Sequence, residues 1–208
     1  MYTSLRRGID LLAGILIAVE GIDSAGKTEQ VRAVADNLRQ QDFRVCTMHF
    51  PSKGTYIGNE IYAFLNGERD YSHRTVELLQ GADKHAQQEE IRAALCMNDY
   101  VILDRYSLTQ KAYSDVFYSR GSFSADETEL ILTGIIQPDY GILLDVSADE
   151  AARRMKGKNL DVYEADVIYL EQVRGAFLRL GKAEGYCVID GMRPKQEIYE
   201  DILDIILA

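Results

Sequence analysis

Residues 21–28 read GIDSAGKT and follow directly on the apolar run ILIAVE, residues 15–20. The spacing G-x-x-x-x-G-K-[ST] is met by Gly21, Gly26, Lys27 and Thr28. Such a loop needs a strand before it and a helix after it, so that successive backbone N–H groups and the positive helix end converge on a phosphate. Both neighbours are expected here, because KTEQVRAVADNLRQ, residues 27–40, continues with helical periodicity. The segment Gly21, Ile22, Asp23, Ser24, Ala25, Gly26, Lys27 and Thr28 is therefore expected to bind ATP. Lys27 would reach the β- and γ-phosphates, and the Thr28 hydroxyl would hold Mg²⁺. The plainer alternative is a glycine-rich turn without a ligand.

Working outward, short β-branched runs recur at FRVCTMHF (43–50), YVILD (100–104), YGILLDV (140–146) and YCVID (186–190). Helical periodicity fills the intervals at about 57–66, 73–96, 107–118, 125–136, 148–155, 163–184 and 194–207. Strands alternating with helices predict an α/β fold, a five-stranded parallel sheet with helices on both faces. The run VILDRY closes its strand with Asp104. An acid at that point is the usual second partner of Mg²⁺ in nucleoside triphosphate sites, although a strand merely ending at a polar residue looks the same.

A chain of 208 residues suits one α/β domain, here 15–208, preceded by an N-terminal extension over 1–14. MYTSLRRGIDLLAG lacks the apolar core and cleavage site of a secretory signal. No stretch approaches the ~18 apolar residues of a membrane span, so no membrane partner is expected. Cys46, Cys96 and Cys187 are far apart and without metal-ligand spacing, which fits a reduced, cytoplasmic protein. A formal net charge of −10 argues against a nucleic-acid partner, yet leaves room for a small phosphorylated ligand held by a few cations.

Several segments in order resemble the thymidylate kinase family of P-loop nucleoside monophosphate kinases: VEGIDSAGKTEQ (19–30), DRYSLTQKAY (104–113), PDYGILLDV (138–146), DVYE (161–164) and VRGAFLRL (173–180). The resemblance implies a three-layer P-loop kinase fold with a short lid, and transfer of the γ-phosphoryl of ATP to dTMP or a related deoxynucleoside monophosphate. It assigns Asp23 to the sugar 3′-hydroxyl of the acceptor, Arg105 and Lys53 to its phosphate, and Tyr113 to crowding of C2′. It places a lid at about 153–161, where Arg154, Lys156 and Lys158 would close over the transferring group and join Lys27 and Arg105 in catalysis. It also implies a homodimer.

The chain departs from the family pattern at several positions. Ser24 stands where other members carry a loop arginine, Glu29 where a second threonine is usual, and Val162 in place of the arginine of [DE]RxE. Gln80 and Lys84 replace the phenylalanine that stacks on thymine and the arginine that hydrogen-bonds it. Positions four apart share a helix face, so both can address one acceptor base, with an amide and an ammonium in place of a ring and a fork. This opens the acceptor to a pyrimidine with a polar 5-substituent or to another deoxynucleoside monophosphate. Two rivals remain: a deoxynucleoside kinase, which needs a base for a sugar hydroxyl, and a nucleotide-binding protein without catalysis.

Overall fold

The computed structural model describes residues 14–118, 121–155 and 167–208. It contains five strands, β1 (Ile15–Glu20), β2 (Val45–His49), β3 (Tyr100–Asp104), β4 (Tyr140–Asp145) and β5 (Cys187–Asp190). They pair in parallel in the order β2-β3-β1-β4-β5. The helices among the described residues are α1 (Lys27–Gln40), α2 (Tyr56–Leu65), α3 (His73–Ala86), α4 (Gln88–Met97), α5 (Ser107–Phe117), α6 (Ala125–Ile131), α7 (Ala148–Met155), α8 (Val167–Ala183) and α9 (Lys195–Leu207).

The apolar strands are buried on both faces because helices cover each side. Alternate residues of β1 serve different layers, as the two-residue period of a strand requires. Ile17 and Val19 pack with Val31, Val34 and Leu38 of α1, whereas Leu16 and Ala18 pack with Ile91 and Leu95 of α4 and with Phe50 and Tyr106. The carboxyl ends of β1, β2 and β3 lie side by side, with Val19 and His49 both in register with Asp104. In an open parallel sheet this edge is where ligands bind.

Two expected helices are shorter than periodicity alone suggested. The stretch 73–96 divides at Gln87, which caps α3 and opens α4. There the Gln88 side chain donates to the Lys84 carbonyl at 2.8 Å and to the Tyr106 hydroxyl, and accepts from the Ile136 amide. A side-chain amide has taken a carbonyl that a continuous helix would use. The stretch 125–136 stops as a helix at Ile131, because Gly134 adopts φ +91° and the chain turns to bury Leu132 and Ile135. The first strand residue of β2 is Val45, not Phe43, whose amide is spent on the Leu38 carbonyl after α1. Residues 1–13 and 163–166 fall outside the described residues. No described helix is long and apolar enough to cross a membrane.

The loop after β2 is held against α2 by a close approach at Gly58. A Cβ there would sit 1.8 Å from the Ser52 carbonyl oxygen. Gly58→Ala is therefore expected to destabilise the fold by about 1–3 kcal/mol, the usual cost of overpacking, in a urea titration at constant slope.

Candidate active site

The loop from Gly21 to Thr28 takes backbone shapes that its glycines permit. Gly21 and Gly26 have φ +144° and +99°, and Ser24 also lies in the left-handed region at +58°. A Cβ on Gly21 would come within 2.7 Å of the Leu144 carbonyl at the end of β4. Gly26 caps α1 without any side-chain hydrogen bond, so the first helix amides stay available to an anion. Lys27 folds back over the loop and donates to the carbonyls of Gly21 (3.0 Å) and Ile22 (2.7 Å). Burial draws its pKa down to about 8, helped by the neighbouring Arg105 charge and resisted by Asp23, Asp104 and Glu20.

This loop forms one wall of a cavity of about 870 Å³ that continues past His49, Asp104 and Arg105 to the segment Gly191–Lys195. Lys27 lines it, as the sequence required. At its floor the Thr28 hydroxyl donates to Asp104 Oδ2 at 2.5 Å, and His49 Nδ1 lies 3.2 Å from the same oxygen. Burial works against the Asp104 charge, but hydrogen bonds from His49 and Thr28 with the Lys27 and Arg105 charges hold its pKa down to about 2. The other oxygen, Oδ1, is buried with no partner among the described residues. A hard divalent cation suits this pair, since both groups offer oxygen and one carboxylate atom is unused. Among the described residues no cluster of three His, Cys, Asp or Glu side chains would form an all-protein metal cage.

Across the cavity, Arg105 sits just beyond β3 at φ +67°. Its amide donates to the Val19 carbonyl, and the next amide, of Tyr106, donates to Glu20 Oε1 at 2.9 Å. Glu20 also accepts the Thr109 hydroxyl and is fully buried, which raises its pKa against the pull of that hydrogen bond and of Arg105. The Arg105 guanidinium pairs with Asp23 Oδ1 and donates to the Gly21 carbonyl at 3.3 Å. Tyr113 donates to Asp23 Oδ2 at 2.6 Å, while its ring packs edge-on against Phe177. Burial opposes the Asp23 charge, yet Arg105 and Lys27 keep its pKa below the ordinary carboxylate value.

The remaining expected residues divide. Gln80 and Lys84 do converge: with Phe50, Arg105 and Thr109 they line a smaller cavity of about 30 Å³. Lys84 is 3 % exposed, and its ammonium donates at 3.3 Å to the Gln80 carbonyl and stands 5.8 Å from the centre of the Phe50 ring. Burial lowers its pKa to about 8. Arg154 reaches over the loop, donating to the Ser24, Ala25 and Gly191 carbonyls at 3.4, 3.4 and 3.0 Å, with Glu150 Oε1 holding it at 2.7 Å. Lys53 is exposed on the turn after Pro51 and does not line the cavity. Lys156, Lys158 and Val162 lie outside the described residues.

Sequence reasoning passed over His49, Glu20 and Glu150. The first two carry a signal that was available, because each is the polar residue at the carboxyl end of a strand, as Asp104 is. Glu150 carries none, because its role depends on the two arginines, Arg153 and Arg154, that it holds at 2.6 and 2.7 Å.

Lys27 and Lys84 both have folded-state pKa values near 8, against a usual 10.5. Between these limits the unfolded chain binds more protons, so stability rises with pH from about 8 to about 10. Lys84→Met is expected to remove its share of that rise and to increase stability at pH 7, read from denaturation midpoints across this range.

Comparison with known proteins places this geometry among relatives. The thymidylate kinase family model matches residues 19–202. A thymidylate kinase of Thermosipho africanus is 30 % identical over 196 residues, covering 92 % of this chain and 97 % of that protein. One of Plasmodium falciparum is 29 % identical and covers 93 % and 90 %. The solved thymidylate kinase of Candida albicans shares the fold with a TM-score of 0.78 at 24 % identity, over 93 % of this chain and 91 % of that one. A strand-loop-helix cradle, an acid and arginine ending the neighbouring strand, and a family match spanning nearly all of the sheet lead to one conclusion: the chain belongs to the thymidylate kinase family.

Proposed function

We propose that this protein transfers the γ-phosphoryl group of ATP to dTMP, giving dTDP and ADP. The observation that carries the reading is the convergence, across one cavity, of Lys27, Thr28 and Asp104 with Arg105 and Asp23, the latter hydrogen-bonded by Tyr113 from behind. The first set suits a triphosphate, and the second a sugar-bearing monophosphate. Family membership supports the same donor and acceptor.

In this reading Lys27 exchanges its loop carbonyls for the β- and γ-phosphates, and the α1 amides hold the chain of phosphates in place. Arg105 offers a planar fork to the acceptor phosphate, and Asp23 accepts the sugar 3′-hydroxyl as its bonds to Arg105 and Tyr113 rearrange. Mg²⁺, held by Thr28 and Asp104, would neutralise charge on the donor phosphates when bound. Positioning does most of the work, because a phosphate monoester with a second pKa of about 6 is already an anion and needs no base. Asp23, held ionised between Arg105 and Tyr113, is a poor proton acceptor, which disfavours phosphorylation of a nucleoside hydroxyl. Arg154 covers the cradle and adds positive charge where the loop carries Ser24. Lys53 joins as a second phosphate ligand if its loop folds inward, and Lys156 and Lys158 join as lid cations. The Lys84 ammonium, a donor only, meets an oxo group of the acceptor base beside the Gln80 amide. Homodimerisation and a cytoplasmic setting belong to the same reading.

A coupled assay of ADP formation with dTMP, thymidine, dUMP, 5-hydroxymethyl-dUMP, dCMP and dGMP tests it. Turnover of dTMP with thymidine inert is the expected result; ATP binding without turnover of any monophosphate would reject it. Preference for the 5-hydroxymethyl base over dTMP would instead assign Gln80 to a polar substituent. Arg105→Lys is expected to lower kcat/KM for the acceptor about 10- to 100-fold, the loss of one or two charge-assisted hydrogen bonds.

A further inference from the structure

The end of β2 contributes a side chain to the cavity floor that the reaction as described does not use. His49 is in register with Asp104 across the β2–β3 pair, so the sheet itself sets these two side chains beside each other. The pairing is tightened on the next residue, where the Phe50 amide donates to the Asp104 carbonyl at 3.0 Å. His49 Nδ1 approaches Asp104 Oδ2 at 3.2 Å, and the His49 side chain is 31 % exposed along the cavity wall.

Two neighbours of Asp104 fall on one oxygen. Thr28 Oγ1 donates to Oδ2 and His49 Nδ1 stands 3.2 Å from it, while Oδ1 is buried without a partner among the described residues. A carboxylate with one donor can swing about that contact. Two donors from different elements, α1 and β2, define its plane and leave the second oxygen free. Because Asp104 is ionised and accepts only, the proton of the contact belongs on Nδ1. Donation by Thr28 toward Asp104 also turns the lone pairs of its hydroxyl away from that carboxylate. The arrangement is that of an outer partner which aims a metal-binding carboxylate without itself binding the metal.

We propose that His49 is a positioning residue for divalent-cation binding: its Nδ1–H fixes the Asp104 carboxylate so that it and the Thr28 hydroxyl oxygen can hold the cation carried by the donor nucleotide. This rests on the reading of the cavity as an ATP site. A structural role for His49 would weaken nucleotide binding with and without metal alike. The positioning role acts only on the metal-dependent part, and the two are separable in a direct binding measurement.

The experiment is calorimetric titration of the full chain with ATP in excess EDTA and with ATP in Mg²⁺, repeated with Mn²⁺. It compares wild type with His49→Leu, His49→Phe and His49→Gln, each first checked for a cooperative thermal transition. The wild type is expected to bind ATP more tightly with metal. In His49→Leu and His49→Phe that metal-dependent strengthening should fall about 10- to 100-fold, the usual effect of removing an outer partner, with metal-free affinity within a factor of about two. His49→Gln, which keeps an N–H donor, should retain most of it. Full metal strengthening in the leucine and phenylalanine variants, or an equal loss with and without metal, would overturn the role of His49. A wild type that binds ATP indifferently to metal would overturn the metal role of Thr28 and Asp104 and the proposal with it, whereas one that binds no ATP would overturn the ATP site.

Discussion

The pairing of β1 with β3 is the constraint on which the rest of the site depends. Val19 is in register with Asp104, and the Arg105 amide continues the ladder onto the Val19 carbonyl. Two loops remote in sequence thereby begin one residue apart in space, one supplying Lys27 and Thr28, the other Asp104 and Arg105. Slipping this register by one residue would exchange the faces of every side chain on the strand and separate the two halves of the cavity.

What that juxtaposition concentrates is charge in a place poor in water. Lys27, Arg105, Glu20, Asp23 and Asp104 lie within one network, and their pKa shifts record a balance between burial and mutual attraction. Such a network is costly if one member is left unmatched, which is why the cations hold loop carbonyls and carboxylates in the structure described here. In the proposed function, incoming phosphates would offer these cations stronger partners without requiring new desolvation of protein groups. The site is thus preorganised in its charges and rearranges in its hydrogen bonds. Lys84 stands apart: it is buried beside a carbonyl and a ring with no carboxylate in hydrogen-bond contact among the described residues, an arrangement that costs stability and that, in the proposed function, an acceptor's oxo group would satisfy.

Much of this was legible in the residues because the signals are local. A glycine spacing between an apolar run and a helix names its own geometry, and Lys27, Thr28, Asp104 and Arg105 all line one cavity, their binding roles belonging to the proposed function. Gln80 and Lys84 converge as a helix face demands. Lys53 stays on an exposed turn, because its placement depends on the loop after Pro51, whose course is set by contacts with α2 and with Asp83 rather than by its own sequence. The break at Gln87 and the end of α6 were illegible for the same reason. Periodicity continues through both, and the competing partners, Tyr106 and Ile136 in one case and the Leu132–Ile135 core in the other, are distant or become visible only on packing.

By itself the sequence determined the layer architecture and the glycine loop between the first strand and the first helix, and it named the groups proposed to hold phosphate and metal, since these follow from periods of two and 3.6 residues and from a motif closed within eight positions. Only the tertiary structure decided that His49 and Thr28 would share one oxygen of Asp104, that Glu20 would hold the turn carrying Arg105, and that Glu150 would lay Arg154 over the cradle. These contacts join residues from different strands and helices. Their geometry is set by sheet order and register, quantities that no single segment encodes.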